Sequence, residues 1–125
     1  MAMKLARTAG CKVIITSSSD EKLEKVPQIS SIGLISTINY AKTPDWGAEA
    51  VEINDGIGVD IIIENGGTSS LLKSINAVAQ RGIVSQVGYL GQQKAEDIEG
   101  LLYKLIDKTI TLRYDEYRSR MYKRY

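Results

Sequence analysis

The 125-residue chain has no histidine, no phenylalanine, one cysteine and two prolines. Without histidine it lacks the commonest general base and the commonest zinc ligand. A catalytic zinc centre needs three protein ligands, and Cys11 with scattered carboxylates supplies no such set. Serine–histidine and cysteine–histidine nucleophile systems are excluded outright. A single cysteine forms no intrachain disulfide, which points to a reducing cytosol and a cytoplasmic protein. No apolar run approaches the ~20 residues that span a bilayer, and the N-terminus carries no signal-peptide pattern. With phenylalanine absent, the core must be built from Ile, Leu, Val, Ala and a few tyrosines.

What is present is ordinary for a soluble domain: 43% hydrophobic residues, 25% charged residues and a net charge of +1. That balance gives no global pull towards nucleic acid or an anionic membrane. The length suits one domain with one core. "CKVIITSSSDEKLEK" (11–25) begins as a buried strand and ends as a charged helix, with Ser17, Ser18 and Ser19 at the corner. Asp20 and Glu21 fall where negative charge favours a helix N-terminus. Helices are predicted over 2–9, 20–26, 44–54, 70–80 (with a serine or threonine cap) and 96–108. Strands are predicted over 12–17, 34–40, 59–63, 83–88 and 109–114. "VDIII" is the most apolar run and therefore the predicted interior strand. Alternation of helix and strand at this spacing predicts an α/β fold, a doubly wound parallel sheet with right-handed crossovers. A mixed α+β domain is the alternative.

"KVIITSSSDEKLEK", "INYAKTPDWG", "GVDIIIENGG", "SINAVAQRGIVSQVGYLG" and "LIDKTITLR" together resemble the medium-chain dehydrogenase/reductase superfamily. The resemblance is to its zinc-type alcohol dehydrogenase-like branch, with quinone and enoyl reductase-like members. It runs over roughly residues 3–113 in the same order and spacing. It implies an incomplete Rossmann-like cofactor-binding domain over 1–113, followed by a divergent Tyr/Arg-rich tail over 114–125. Three departures stand out. The 125 residues hold no counterpart of the family's catalytic domain with its zinc ligands. They contain no G-x-G-x-x-G turn or first Rossmann strand, since "MAMKLARTAG" looks like the second half of the helix that follows that turn. After Arg113 the sequence leaves the family pattern.

The glycine-rich turn gives backbone N–H groups and a helix N-terminus to the cofactor pyrophosphate. Each charge-assisted hydrogen bond contributes ~1.5–3 kcal/mol, so losing several weakens binding by about 10³-fold. Rossmann order is 3-2-1-4-5-6, with strand 1 central. Without it, the strands at 12–17 and 59–63 must either close up and pair, or be bridged by another chain. The expectation is a self-associating homodimer, by exchange between protomers or through the last strand.

The resemblance gives the serines a role. NAD-preferring Rossmann folds place an acid at the end of the second strand, and this chain has Ser17 there. The implied cofactor is NADP(H), with Lys22 and Tyr40 holding the 2′-phosphate and Ser17, Ser18 and Ser19 donating hydrogen bonds. A serine run that caps the following helix is the plain alternative. Gly66, Gly67, Gly88, Tyr89 and Leu90 match positions where the family approaches the nicotinamide half, although glycines after parallel strands are also turn residues. Glu64 and Asn65 close the apolar strand. They are the candidate acid/base groups if the chain is instead a non-redox cyclase, isomerase or dehydratase acting on a small apolar molecule. A third reading is a dimerising or regulatory module without chemistry. The Tyr/Arg tail has a composition able to bind nucleic acid, but a divergent read-through tail or a dimer-contact segment is preferred to that.

Overall fold

The computed structural model describes residues 2–26, 34–88 and 94–114. Helix α1 (Ala2–Thr8) leads to strand β1 (Val13–Ser17), helix α2 (Asp20–Glu24) and strand β2 (Ile35–Asn39). Helix α3 (Trp46–Ile53), strand β3 (Val59–Glu64), helix α4 (Thr68–Ala77) and strand β4 (Val78–Gln86) follow. A 3-10 turn (Ala95–Ile98), helix α5 (Leu101–Asp107) and strand β5 (Thr111–Tyr114) complete the order.

β-Branched runs become the strands, and every pairing is parallel. β1 lies beside β2 with Val13 opposite Ile35 and Ser17 opposite Asn39. A second sheet has the order β3-β4-β5, with Ile62, Val84 and Leu112 in one row and Glu64, Gln86 and Tyr114 in another. The core forms where α4 and α5 cover the face carrying the first of these rows. Leu71, Ile75, Val78 and Val84 are buried there, with Ile62, Leu101, Leu105, Ile110 and Leu112 packed around them. α3 joins the two sheets. It packs on β2 and on α4, and Lys12 Nζ donates to Ile53 O at 3.1 Å.

The fold is the expected α/β class, with local departures from the expected elements. Among the described residues β3 is not an interior strand: it pairs with β4 alone, and Ile61 and Ile63 remain 60% and 48% exposed. Among the described residues β1 and β3 do not pair, so the sheet has not closed up. Residues 78–80 belong to β4 rather than to the preceding helix. The Lys108 ammonium ends that helix by donating to the carbonyls of Ile75, Asn76 and Val78, while burial lowers its pKa. The α4 N-cap is Gly67 at φ 89°, with no serine or threonine side chain capping it. The helix expected over 96–108 is interrupted at Gly100, whose φ of 75° begins α5 afresh. Tyr89, Leu90 and the tail from 115 lie outside the described residues. No helix among the described residues is long and apolar enough to cross a membrane.

Candidate functional site

In parallel sheets ligands bind at the carboxyl ends of the strands, and the polar residues of this chain concentrate there in two groups. The first lies at the ends of β1 and β2. Ser17 sits opposite Asn39, and Tyr40 N–H donates to Ser17 O at 3.1 Å. Ser17 Oγ accepts from Ser19 N–H at 3.2 Å, which tightens the corner, and Ser19 Oγ accepts from Lys22 N–H at 3.4 Å as the α2 N-cap. The capping role of the serine run is therefore real, and it leaves the Ser18 side chain exposed at the tip. Lys22 and Tyr40 are both exposed beside it.

Three residues outside the expected set complete this group. Asn39 Nδ2 donates to Asp20 Oδ1 at 2.6 Å and reaches Ser18 O at 3.4 Å. Lys42 pairs with Asp20 through its ammonium. The Lys42 hydrogen bond, followed by that of Asn39, holds the Asp20 carboxyl below the usual carboxylate range, and the same pairing raises the Lys42 pKa. The charge of Asp20 is thus balanced locally. No sequence spacing reveals that pair, because Asp20 and Lys42 are brought together by the β1–β2 register.

The second group closes β3 and β4. Glu64 is only 5% exposed, and its carboxylate turns towards α4. Oε1 accepts from Gly66 N–H and Ser70 Oγ, each at 2.6 Å, and Oε2 accepts from Ser74 Oγ. Ser70 and Ser74, four apart, share one helical face, a periodicity that was available in the sequence. Glu64 therefore fixes the Asn65–Gly66–Gly67 turn against the helix. Asn65 is exposed, and its Oδ1 lies near Gly88 at the end of β4. Across from Glu64, Gln86 is 3% exposed and donates to Gly88 O at 2.6 Å. Its Oε1 has no hydrogen-bond partner. The geometry brings Glu64, Asn65, Gly66, Gly67 and Gly88 together at one end of the second sheet, as it brings Ser17, Ser18, Ser19, Lys22 and Tyr40 together at the end of the first.

Neither group suits a metal. Among the described residues no three His, Cys, Asp or Glu side chains cluster, and Cys11 is free and exposed.

Comparison with known proteins places this arrangement. Residues 1–124 match the family model described as zinc-binding dehydrogenase. A zinc-type alcohol dehydrogenase-like protein of Schizosaccharomyces pombe is 34% identical over 113 residues, covering 90% of this chain and 32% of that protein. The quinone oxidoreductase of Pseudomonas syringae superposes with a TM-score of 0.74 at 26% identity, over 92% of this chain and 34% of that one. The Escherichia coli quinone oxidoreductase, solved in complex with NADPH, superposes with a TM-score of 0.73 over 92% of this chain and 33% of that one. At 21% identity this last likeness is one of fold. The chain spans about a third of the length of these relatives.

Proposed function

Because the chain belongs to the zinc-binding dehydrogenase family, we infer that it is part of the NADP(H)-recognising domain of a zinc-type alcohol dehydrogenase-like oxidoreductase. The observation that carries this reading is the corner at the end of β1. Ser17 stands where an NAD-selecting acid would repel a 2′-phosphate. The neighbouring Asp20 is neutralised by Lys42. Exposed Lys22 and Tyr40 then supply a cation and a hydroxyl to the phosphate, and the serines supply donors. The Gly66–Gly67 turn and Gly88 allow close backbone approach to the nicotinamide half. When bound, the cofactor supplies a hydride donor or acceptor.

Glu64 in this reading is an anchor for the turn. Its oxygens are engaged by Gly66, Ser70 and Ser74, which leaves Asn65 as the polar side chain at the crevice. The residues present do not fit zinc, and no step here uses it. These 125 residues contain no G-x-G-x-x-G turn, so the pyrophosphate loses its principal partners and the chain alone binds the cofactor weakly, without a complete redox site.

NADPH fluorescence titrated with the chain tests the reading. A saturable change with a dissociation constant well above that of a complete reductase supports it. No saturable change at millimolar cofactor overturns it.

A second observation favours self-association. Leu102, Tyr103 and Ile106 of α5 are all about 70% exposed, an apolar stripe next to β5 at the outer edge of its sheet. We propose that this stripe and edge form a homodimer contact.

A further inference from the structure

The three serines at the end of β1 are not equivalent. Ser17 Oγ accepts from Ser19 N–H, Ser19 Oγ accepts from Lys22 N–H, and both side chains are half-buried. Ser18 lies between them, exposed, and its hydroxyl bonds to no other described residue. Its backbone is nevertheless held, since Ser18 O accepts from Asn39 Nδ2 at 3.4 Å. The corner thus presents one accessible, unengaged hydroxyl on a fixed backbone.

The charges around that hydroxyl are sorted in a similar way. Lys25 Nζ pairs with Glu21 Oε1 at 2.6 Å, and Lys42 pairs with Asp20. The Lys22 ammonium, four residues after Ser18, forms no ion pair or hydrogen bond with any described residue. An uncommitted cation and the exposed Tyr40 therefore stand beside an uncommitted serine.

The sequence around Ser18 is also of a kind that enzymes read. Acids follow it at two, three and six residues, as Asp20, Glu21 and Glu24. Protein kinases choose among hydroxyls by the charge pattern beside them, and an acid three residues on suits an acid-directed serine kinase. Ser17 has Asp20 at that spacing but is half-buried and already bonded, and Ser19 has Lys22 there.

We propose that Ser18 is a phosphorylation site, and that its phosphate takes the place of the cofactor's 2′-phosphate in the corner. Ser18 Oγ attacks the γ-phosphorus of ATP held by the kinase. The new O–P bond forms as the bond to ADP breaks, and the hydroxyl proton passes to the kinase's base. The product carries a charge of about −1.5 to −2 at pH 7 and three acceptor oxygens. A phosphate so placed pairs with Lys22, accepts from Tyr40 and repels the phosphate of an incoming cofactor. Modification switches cofactor binding off, and hydrolysis of the ester restores it. This regulation rests on the NADP(H) reading of the same corner.

The test treats the full chain with ATP and a serine kinase that requires an acid three residues on. Mass spectrometry should place a phosphate on Ser18, and Ser18→Ala should remove it. In the modified chain the phosphate titration followed by phosphorus NMR should have its midpoint below the value of about 6 for a free phosphoserine, and Lys22→Ala should bring it back. The dissociation constant for 2′,5′-ADP should rise by at least about tenfold on modification. Lack of phosphate at Ser18, a midpoint that Lys22→Ala leaves unchanged, or an unaltered affinity for 2′,5′-ADP overturns the proposal. An unmodified chain that ignores 2′,5′-ADP overturns the cofactor reading and the switch together. Binding by the unmodified chain, combined with any of those three results, overturns the switch alone.

Discussion

Gly66→Ala should destabilise the chain by about one buried hydrogen bond, and the geometry says which one. A methyl group added at Gly66 would overlap Ser70 Oγ and would sit 3.0 Å from Glu64 Oε1 and 3.1 Å from Ser70 Cβ. The hydroxyl is the part that can yield, by rotating off the Glu64 carboxylate it now meets at 2.6 Å. A hydrogen bond to a carboxylate contributes ~1.5–3 kcal/mol, so a loss of about 2 kcal/mol is expected. Urea unfolding reads this directly. With a slope of about 1.5 kcal/mol/M, the midpoint should fall by about 1.3 M at unchanged slope. The mechanism also predicts non-additivity. Ser70→Ala removes the same bond, so adding Gly66→Ala to it should cost much less than in the parent, with coupling of about 1–2 kcal/mol. A Gly66→Ala midpoint equal to that of the parent, or strictly additive single effects, would refute the idea that Glu64 and Ser70 hold this turn.

Replacing Lys42 by Met should return the Asp20 pKa upwards towards 3.8, read by carboxyl NMR, because the Lys42 hydrogen bond is the chief cause of its depression. The sign follows: the Asp20 contribution is fully present above pH 3.8 and is lost as pH falls through the depressed folded value. Ser17→Asp should weaken NADPH binding by about tenfold or more through like-charge repulsion, with little effect on NADH; equal loss for both cofactors would contradict the assignment. Light scattering should give a mass above 13.8 kDa at micromolar concentration, and Leu102→Glu with Ile106→Glu should bring it down to that value. A monomer in both cases would remove the α5 stripe as the contact.

Much of the fold was legible because its signals are local. β-Branched runs marked all five strands, 34–40 containing β2 among them. The misreadings were those in which distant residues decide. The apolar III run predicts burial on both sides, yet a strand's position depends on its neighbours, and among the described residues β3 pairs with β4 alone. Residues 78–80 have helical composition, but Lys108 from thirty residues away takes the helix-end carbonyls and releases the chain into β4. At the candidate site the serine corner, Tyr40 and the glycines after β3 were visible in sequence. The Asp20–Lys42 pair, with Asn39, exists only once β1 and β2 are in register. The setting of Glu64 is likewise decided at a distance: only the fold shows Ser70 and Ser74 turning its carboxylate towards α4.

The central claim is that the corner of Ser17–Ser19, Lys22 and Tyr40 is a 2′-phosphate site. Backbone amide shifts of the labelled chain, followed during titration with 2′,5′-ADP and separately with 5′-ADP, test it most directly. The account predicts that 2′,5′-ADP moves the amides of Ser17, Ser18, Ser19, Lys22 and Tyr40, that Lys22→Ala removes most of the effect, and that 5′-ADP leaves them nearly still. Equal responses to the two nucleotides, or shifts confined to residues away from the ends of β1 and β2, would contradict it.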